Sequence, residues 1–315
     1  MKLRALLLIS ILTLSAVTPA SAENPSAKIA VAYDIGFLGD NSFKRVKKKY
    51  NLIEPFVREV PTNGSAVDRL SRVRFLAQNG YNLIIAVGPG YRETVRRVSK
   101  EYPEIQFAVI NDKAIGQMNV SNIFYREDHG AYLAGVIAAV FTKRKSIGFI
   151  GSEPELLASF SAGARVISKS IRVINIPYPD SNSELKSGLG KIDVGYSTWD
   201  GDASVLTTVL DSYASKVKLI VERPDQYFSE LNSSQRVILA SINKDLSRPI
   251  DQLVAAALKE RAIIDVLDET EGIYGREYSL RNRGVSFTMV APINSTQRDR
   301  INLEIKKYLA NPKSR

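Results

Sequence analysis

Short, unbroken apolar runs alternate along the chain with longer stretches in which apolar residues recur every three or four positions. Runs at 29–33, 52–60, 83–87, 107–110, 146–150, 173–176, 192–197, 219–222 and 237–242 are too short for most helices. Most are too uniformly apolar for strands with one wet face, so they read as strands buried on both sides, the signature of a parallel sheet. Between them, 65–79 places Val67, Leu70, Val73, Leu76 and Ala77 near helical spacing and is followed by Gly80, a helix stop signal. Helices are also expected after Asp40, over 91–100 ahead of Pro103, and over 131–142, 155–168, 203–215 and 249–259. Asp40, Asn41 or Ser42 is the expected cap of the first. The segment from 177 to 194 is expected to be too short for a helix.

Strands alternating with helices predict an α/β fold. Right-handed crossovers then gather the carboxyl ends of the strands on one side, where open α/β sheets hold ligands. Those ends carry Asp34, Gly88, Asn111-Asp112, Trp199-Asp200 and Arg223. Carboxylates and amides there would accept hydrogen bonds from hydroxyl or ring N–H groups, and Phe43 and Trp199 offer flat faces for stacking. Each also has a purely structural role open to it: Asp34 as a turn cap, Phe43 as core, Trp199 as interlobe packing. His129, the one histidine, lies between an acidic pair and Gly130 and is expected to face solvent or cap a helix rather than bind a ligand. Gly88-Pro89-Gly90 resembles a phosphate-binding turn but lacks the third glycine and later acidic partner of a dinucleotide site.

Composition narrows the classes. With 315 residues and 44% hydrophobic content, the chain supports a sizeable core, expected in two lobes. Lys2 and Arg4, an apolar stretch over 6–17 and Ala20-Ser21-Ala22 read as a signal peptide over 1–22, an uncleaved anchor being the alternative. The absence of cysteine excludes disulfides, thiolate chemistry and lipid attachment at an N-terminal cysteine. No metal spacing, Walker sequence or Ser-His-Asp order is present, so neither a metal nor a cofactor is implied. The net charge of +10 suits an anionic wall or membrane, and export argues against a nucleic-acid partner.

Asp34-x-Gly36-x-x-x-Asp40-x-Ser42-Phe43, directly after the first strand, resembles the opening motif of the basic membrane protein family, extracytoplasmic solute-binding proteins several of which bind purine nucleosides for ABC importers. The likeness continues through 80–88, 102–110, Arg126-Glu-Asp-His-Gly130 with Tyr132-Leu-Ala-Gly135, 147–151, Phe160-Ser-Ala-Gly163, Asp225-Gln226, Lys244 and Gly284-Val285. It implies a two-lobed, type I periplasmic-binding-protein-like α/β fold, each lobe a parallel sheet flanked by helices. The expected division is 27–122 plus 237–285 for the N-terminal lobe, 123–236 for the C-terminal lobe and 286–315 as a C-terminal segment, with hinge crossings near Phe124, Val237 and Gly284. It also implies a monomer that captures a nucleoside for an ABC permease without catalysis. Asp34, Asp40, Ser42 and Phe43 would be cleft residues, and Lys244 a ribose contact. The chain departs from the family pattern at Lys44, where Asn is usual, at Asn111, where Asp is usual, at Thr198-Trp199-Asp200-Gly201, and at Arg223, the place of a ribose-binding Asp. These departures leave open a diverged surface-interaction protein of the same fold, or a nucleoside hydrolase.

Overall fold

The computed structural model describes residues 27–34, 41–177, 182–198, 204–223 and 232–311. The expected signal segment, Asp40, Trp199 and Asp200 lie outside them. From the N-terminal side the elements are β1 (Ile29–Asp34), α1 (Ser42–Lys49), β2 (Val57–Thr62), α2 (Ala66–Gln78), β3 (Leu83–Val87), α3 (Arg92–Glu101), β4 (Gln106–Ile110) and β5 (Val120–Tyr125). There follow α4 (Glu127–Phe141), β6 (Ser146–Ile150), α5 (Pro154–Ile167), β7 (Arg172–Ile176), α6 (Asn182–Leu189), β8 (Val194–Ser197), α7 (Ser204–Thr208), β9 (Lys218–Arg223), β10 (Ile238–Lys244) and α8 (Ser247–Ala257). The chain closes with β11 (Val266–Asp268), β12 (Ile273–Tyr278), β13 (Val285–Met289) and α9 (Ser295–Ala310).

The strands form two sheets, ordered β11-β12-β5-β4-β3-β1-β2 and β13-β10-β9-β8-β6-β7. Every pairing is parallel except β11 with β12 and β13 with β10. This is the expected architecture, and the unbroken apolar runs explain it. In β1, Ala30 and Ala32 pack with Val73 and Leu76 of α2 and Val95 of α3. Ile29 and Val31 face the other way, into a cluster that holds Phe43 and Val46 of α1 and Ile250 of α8. Both faces of the sheet are therefore covered, and neither face selects polar residues. Pro61 sits in β2, the edge strand, where a missing N–H is tolerated. At the end of α2, Gly80 adopts φ +74°, the left-handed turn its position promised.

Three expectations need correction. A helix, α6, does form between 177 and 194, because Leu185 and Leu189 bury one face against the second sheet. The helix expected over 203–215 is a short α7 that passes into a π turn over Val209–Tyr213. The third concerns the lobes. β10 hydrogen-bonds beside β9 in the second sheet, not the first, and β13 and α9 continue that lobe rather than forming a separate segment. A buried run such as Ile238–Lys244 fits either sheet, and periodicity does not assign the partner. The chain thus crosses between lobes at Arg126, at Asp245-Leu246 and over 279–284. The crossing after β10 comes at its carboxyl end, not near Val237.

The crossings are tied together. Arg126 N–H donates to Tyr278 O at 2.8 Å and Asp245 N–H to Gly284 O at 3.0 Å, while the Tyr125 hydroxyl donates to Asp245 O at 2.7 Å. His129, in the first turns of α4, lies in this junction. It is buried rather than solvent-facing. Its Nδ1 accepts from Leu280 N–H at 3.4 Å, and its ring meets Tyr308 edge-on at 5.4 Å. Burial holds its pKa below 6.5, with Arg126 and Arg281 pushing the same way and Asp128 opposing. A histidine kept neutral in the fold takes up a proton more readily when unfolded, so it withdraws stability as pH drops below 6.5 towards its folded value. His129→Asn is expected to flatten this part of the stability profile. Urea titrations of both proteins at about pH 7.5 and 5.5 check it; equal losses on acidification would show that His129 titrates alike in the folded and unfolded chain.

Candidate functional site

The carboxyl ends of the first sheet are built around ion pairs. Asp34 ends β1 and lies opposite Thr62, the last residue of the neighbouring β2. Its carboxylate accepts from Thr62 Oγ1 at 2.8 Å and from Arg69 Nε and Nη2 at 2.9 and 2.7 Å. Arg69 reaches it from the start of α2, a helix capped by Ser65 Oγ accepting from Asp68 N–H. The hydrogen bonds that Arg69 donates to Asp34 raise the guanidinium pKa further, although burial opposes them. Arg69 also lies over the ring of Tyr91 at 5.5 Å, and the Tyr91 hydroxyl, raised by burial, shares a 3.0 Å hydrogen bond with Thr62.

β4 ends in Asn111-Asp112. Asn111 takes φ +69°, a left-handed conformation that asparagine tolerates, with its N–H bonded to Ile123 O at 2.6 Å. That turn aims its side chain across the junction, where Nδ2 donates to Glu127 Oε1 at 2.8 Å. Asp112 turns inward: Oδ1 accepts from Ala114 N–H at 2.8 Å and Oδ2 from Arg92 Nε at 2.5 Å.

On the second lobe, Lys244 at the end of β10 sits between Glu127 and Glu222. Its ammonium donates to Glu127 Oε1 and, at 3.3 Å, to Glu222 Oε2, while the Tyr196 hydroxyl donates to Glu222 Oε1. One chain of hydrogen bonds, Asn111–Glu127–Lys244–Glu222–Tyr196, therefore runs from the first sheet's strand ends into the second sheet. Burial pushes the Glu127 carboxyl up, but the Lys244 charge and the bonds from Lys244 and Asn111 outweigh it, so the pKa lies below the usual glutamate value.

Among the sequence-expected site residues, Asp34, Gly88, Asn111 and Asp112 stand at strand ends of the first lobe, and Lys244 and Arg223 at strand ends of the second. Gly88 adopts φ +126°, out of reach for a side chain without strain. Ser42 and Phe43 take different places. Asn41 precedes α1 without a side-chain cap. Ser42 is buried against Ser247 Oγ at 3.1 Å, and Phe43 packs into the apolar cluster beside Val46. Sequence reasoning passed over Arg69, Arg92, Glu127, Glu222 and Tyr196. Glu127 lies in the quoted Arg126–Gly130 motif and Glu222 at a predicted strand end, so position could have flagged both. Nothing local marks Arg69, which meets its partner 35 residues away.

Residues 34–183 match the family described as ABC transporter substrate-binding protein PnrA-like. The chain is 33% identical over 195 residues to Basic membrane protein A1 of Borrelia garinii subsp. bavariensis, covering 56% of each chain. It is 28% identical to the ABC transporter nucleoside-binding protein BmpA of Lactococcus lactis subsp. cremoris, over 51% of this chain and 49% of that one. It spans about half the length of the curated relatives it matches. Among solved structures, an ABC transporter solute-binding protein from Conexibacter woesei superposes with a TM-score of 0.63 at 14% identity, over 90% of this chain and 97% of that one. The resemblance to the basic membrane protein family and the type I solute-binding architecture are both borne out.

Proposed function

We propose that this relative of the basic membrane protein family is an extracytoplasmic solute-binding protein that captures a small polar ligand between its lobes and passes it to an ABC permease. A nucleoside-type ligand is the class that the BmpA relative points to. The observation that carries the reading is the bonded chain from Asn111 to Tyr196 beneath two sets of strand ends, set beside three chain crossings between the lobes. A ligand touching both lobes favours the closed arrangement by its differential contacts, which is capture rather than chemistry. Asp34, Gly88, Asn111, Asp112, Arg223 and Lys244 line or support that site in this proposal; Ser42 and Phe43 hold α1 in place behind it. The protein acts as an exported monomer, with no cofactor and no nucleic-acid partner.

The reading is tested by thermal shift of the protein against nucleosides, nucleotides, nucleobases and sugars. At a hundredfold excess over its Kd, a ligand bound only by the folded state adds about 2.7 kcal/mol. The expected result is a saturable rise in Tm with a ligand that chromatography recovers unchanged. Product formation would instead mark a hydrolase. No shift with any member of the panel would overturn the proposal in favour of a surface-interaction protein of the same fold.

A further inference from the structure

We infer that the first-lobe wall of this cleft receives an anionic group, a phosphate or carboxylate of the ligand, through the guanidinium groups of Arg69 and Arg92. The inference rests on the binding-protein reading and narrows its ligand.

A neutral nucleoside offers hydroxyl and ring N–H donors, and recognising them takes exposed acceptors. The obvious acceptors here are covered. Asp34 already accepts three hydrogen bonds and its side chain is 6% exposed; Asp112 accepts two and is 2% exposed. What remains presented is the cationic side of each pair. Arg92 is 51% exposed and donates to Asp112 through Nε alone, so neither of its Nη groups bonds a described residue. Arg69 is 15% exposed and donates through Nε and Nη2, with Nη1 bonding no described residue. Lys113, over the ring of Phe124 at 4.5 Å, adds a further positive charge beside Asp112.

The Gly88-Pro89-Gly90 turn gains a physical account on the same terms. A Cβ at Gly90 would lie 2.1 Å from Arg69 Cζ and 2.2 Å from Nη1. The turn is therefore a berth for a guanidinium and not itself the cradle of a phosphate. Pinned by a bidentate carboxylate, the face of Tyr91 and the backbone of Gly90, Arg69 is fixed before any ligand arrives. A planar donor fork held in this way suits oxyanions, because little rotamer freedom is left to lose on binding.

The test is calorimetric titration of the full chain with inosine, inosine 5′-monophosphate, citrate and inorganic phosphate. The nucleotide or citrate is expected to bind about tenfold or more tightly than inosine. That preference should fall by about tenfold in Arg92→Gln and weaken between about 0.05 and 0.3 M salt. The four ligands separate the sources of the anion: a gain with the nucleotide alone places a phosphate ester, with citrate alone a carboxylate, and with free phosphate an isolated oxyanion site. Gly90→Val, which displaces Arg69 without removing its charge, should also lose the preference while circular dichroism reports an intact fold. Inosine binding as tightly as its monophosphate, or a preference unchanged in both variants, overturns the inference and leaves the binding-protein reading standing. Absence of binding by these ligands and by the wider panel overturns both.

Discussion

Lys244→Met is expected to lower stability by about 3 kcal/mol at neutral pH, a fall of roughly 6–10 °C in Tm. The methionine matches the lysine stem in bulk, so the loss is electrostatic. Without the ammonium, Glu222 loses its bond from Lys244 and retains the neutral Tyr196 hydroxyl, Glu127 retains the Asn111 amide, and two carboxylates face each other across an apolar chain. Removing one partner from a buried pair costs about 3–5 kcal/mol, and the lower end applies because the Glu127 side chain remains 33% exposed. The pH dependence separates this account from simple loss of packing. In the parent, Glu127 has a pKa below its ordinary 4.5, so the stability it contributes is present above 4.5 and vanishes as pH falls through the folded value. In the variant both carboxyls are pushed up, so protonation relieves the defect on mild acidification. The gap between the two proteins should be widest near pH 7.5 and narrow by about pH 5. A gap that is constant with pH, or a Tm unchanged at both, would reject the charged-network account.

Much of this architecture was legible because it rests on short-range rules. The strands of the first sheet follow from apolar runs, Ser65 and Gly80 bracket α2, and Pro103 stops α3. What stayed hidden is pairing at long separation. Arg69 on Asp34, Arg92 on Asp112 and Lys244 on Glu127 join residues 35, 20 and 117 positions apart, and no periodicity announces which charge meets which. The start of α4 fails for a related reason. Its apolar pattern begins at Ala131, yet the helix begins at Glu127, because the polar first turn reaches inward to Lys244 and Leu280 instead of facing water. The same inward turn buries His129. A rule that assigns polar residues to the surface misreads such positions, and these are the positions where the two lobes meet.

Gly135→Val is expected to cost about 3 kcal/mol or more, the upper range for forcing extra atoms into a packed interior. Helices α4 and α5 approach so closely that a Cβ at Gly135 would stand 2.0 Å from Phe160 O, and one at Gly163 would stand 2.1 Å from Tyr132 O. Both obstacles are backbone carbonyls, which no rotamer change can move, so the helices themselves must part. Parting them loosens the cluster in which Phe160 stacks on Tyr196 at 5.7 Å and meets Phe149 at 5.9 Å. These two glycines close the Leu-Ala-Gly and Phe-Ser-Ala-Gly motifs, so both motifs have a steric cause. The reciprocal geometry adds a sharper expectation. Gly135→Ala and Gly163→Ala each destabilise despite the roughly 1 kcal/mol that alanine gains over glycine within a helix. Their combination costs less than the sum, because helices already separated by one methyl leave room for the next. Urea denaturation of the two single variants and the double variant measures the coupling. Additive losses, or a stabilised single variant, would mean that the helices adjust independently and that the close approach is not what holds them.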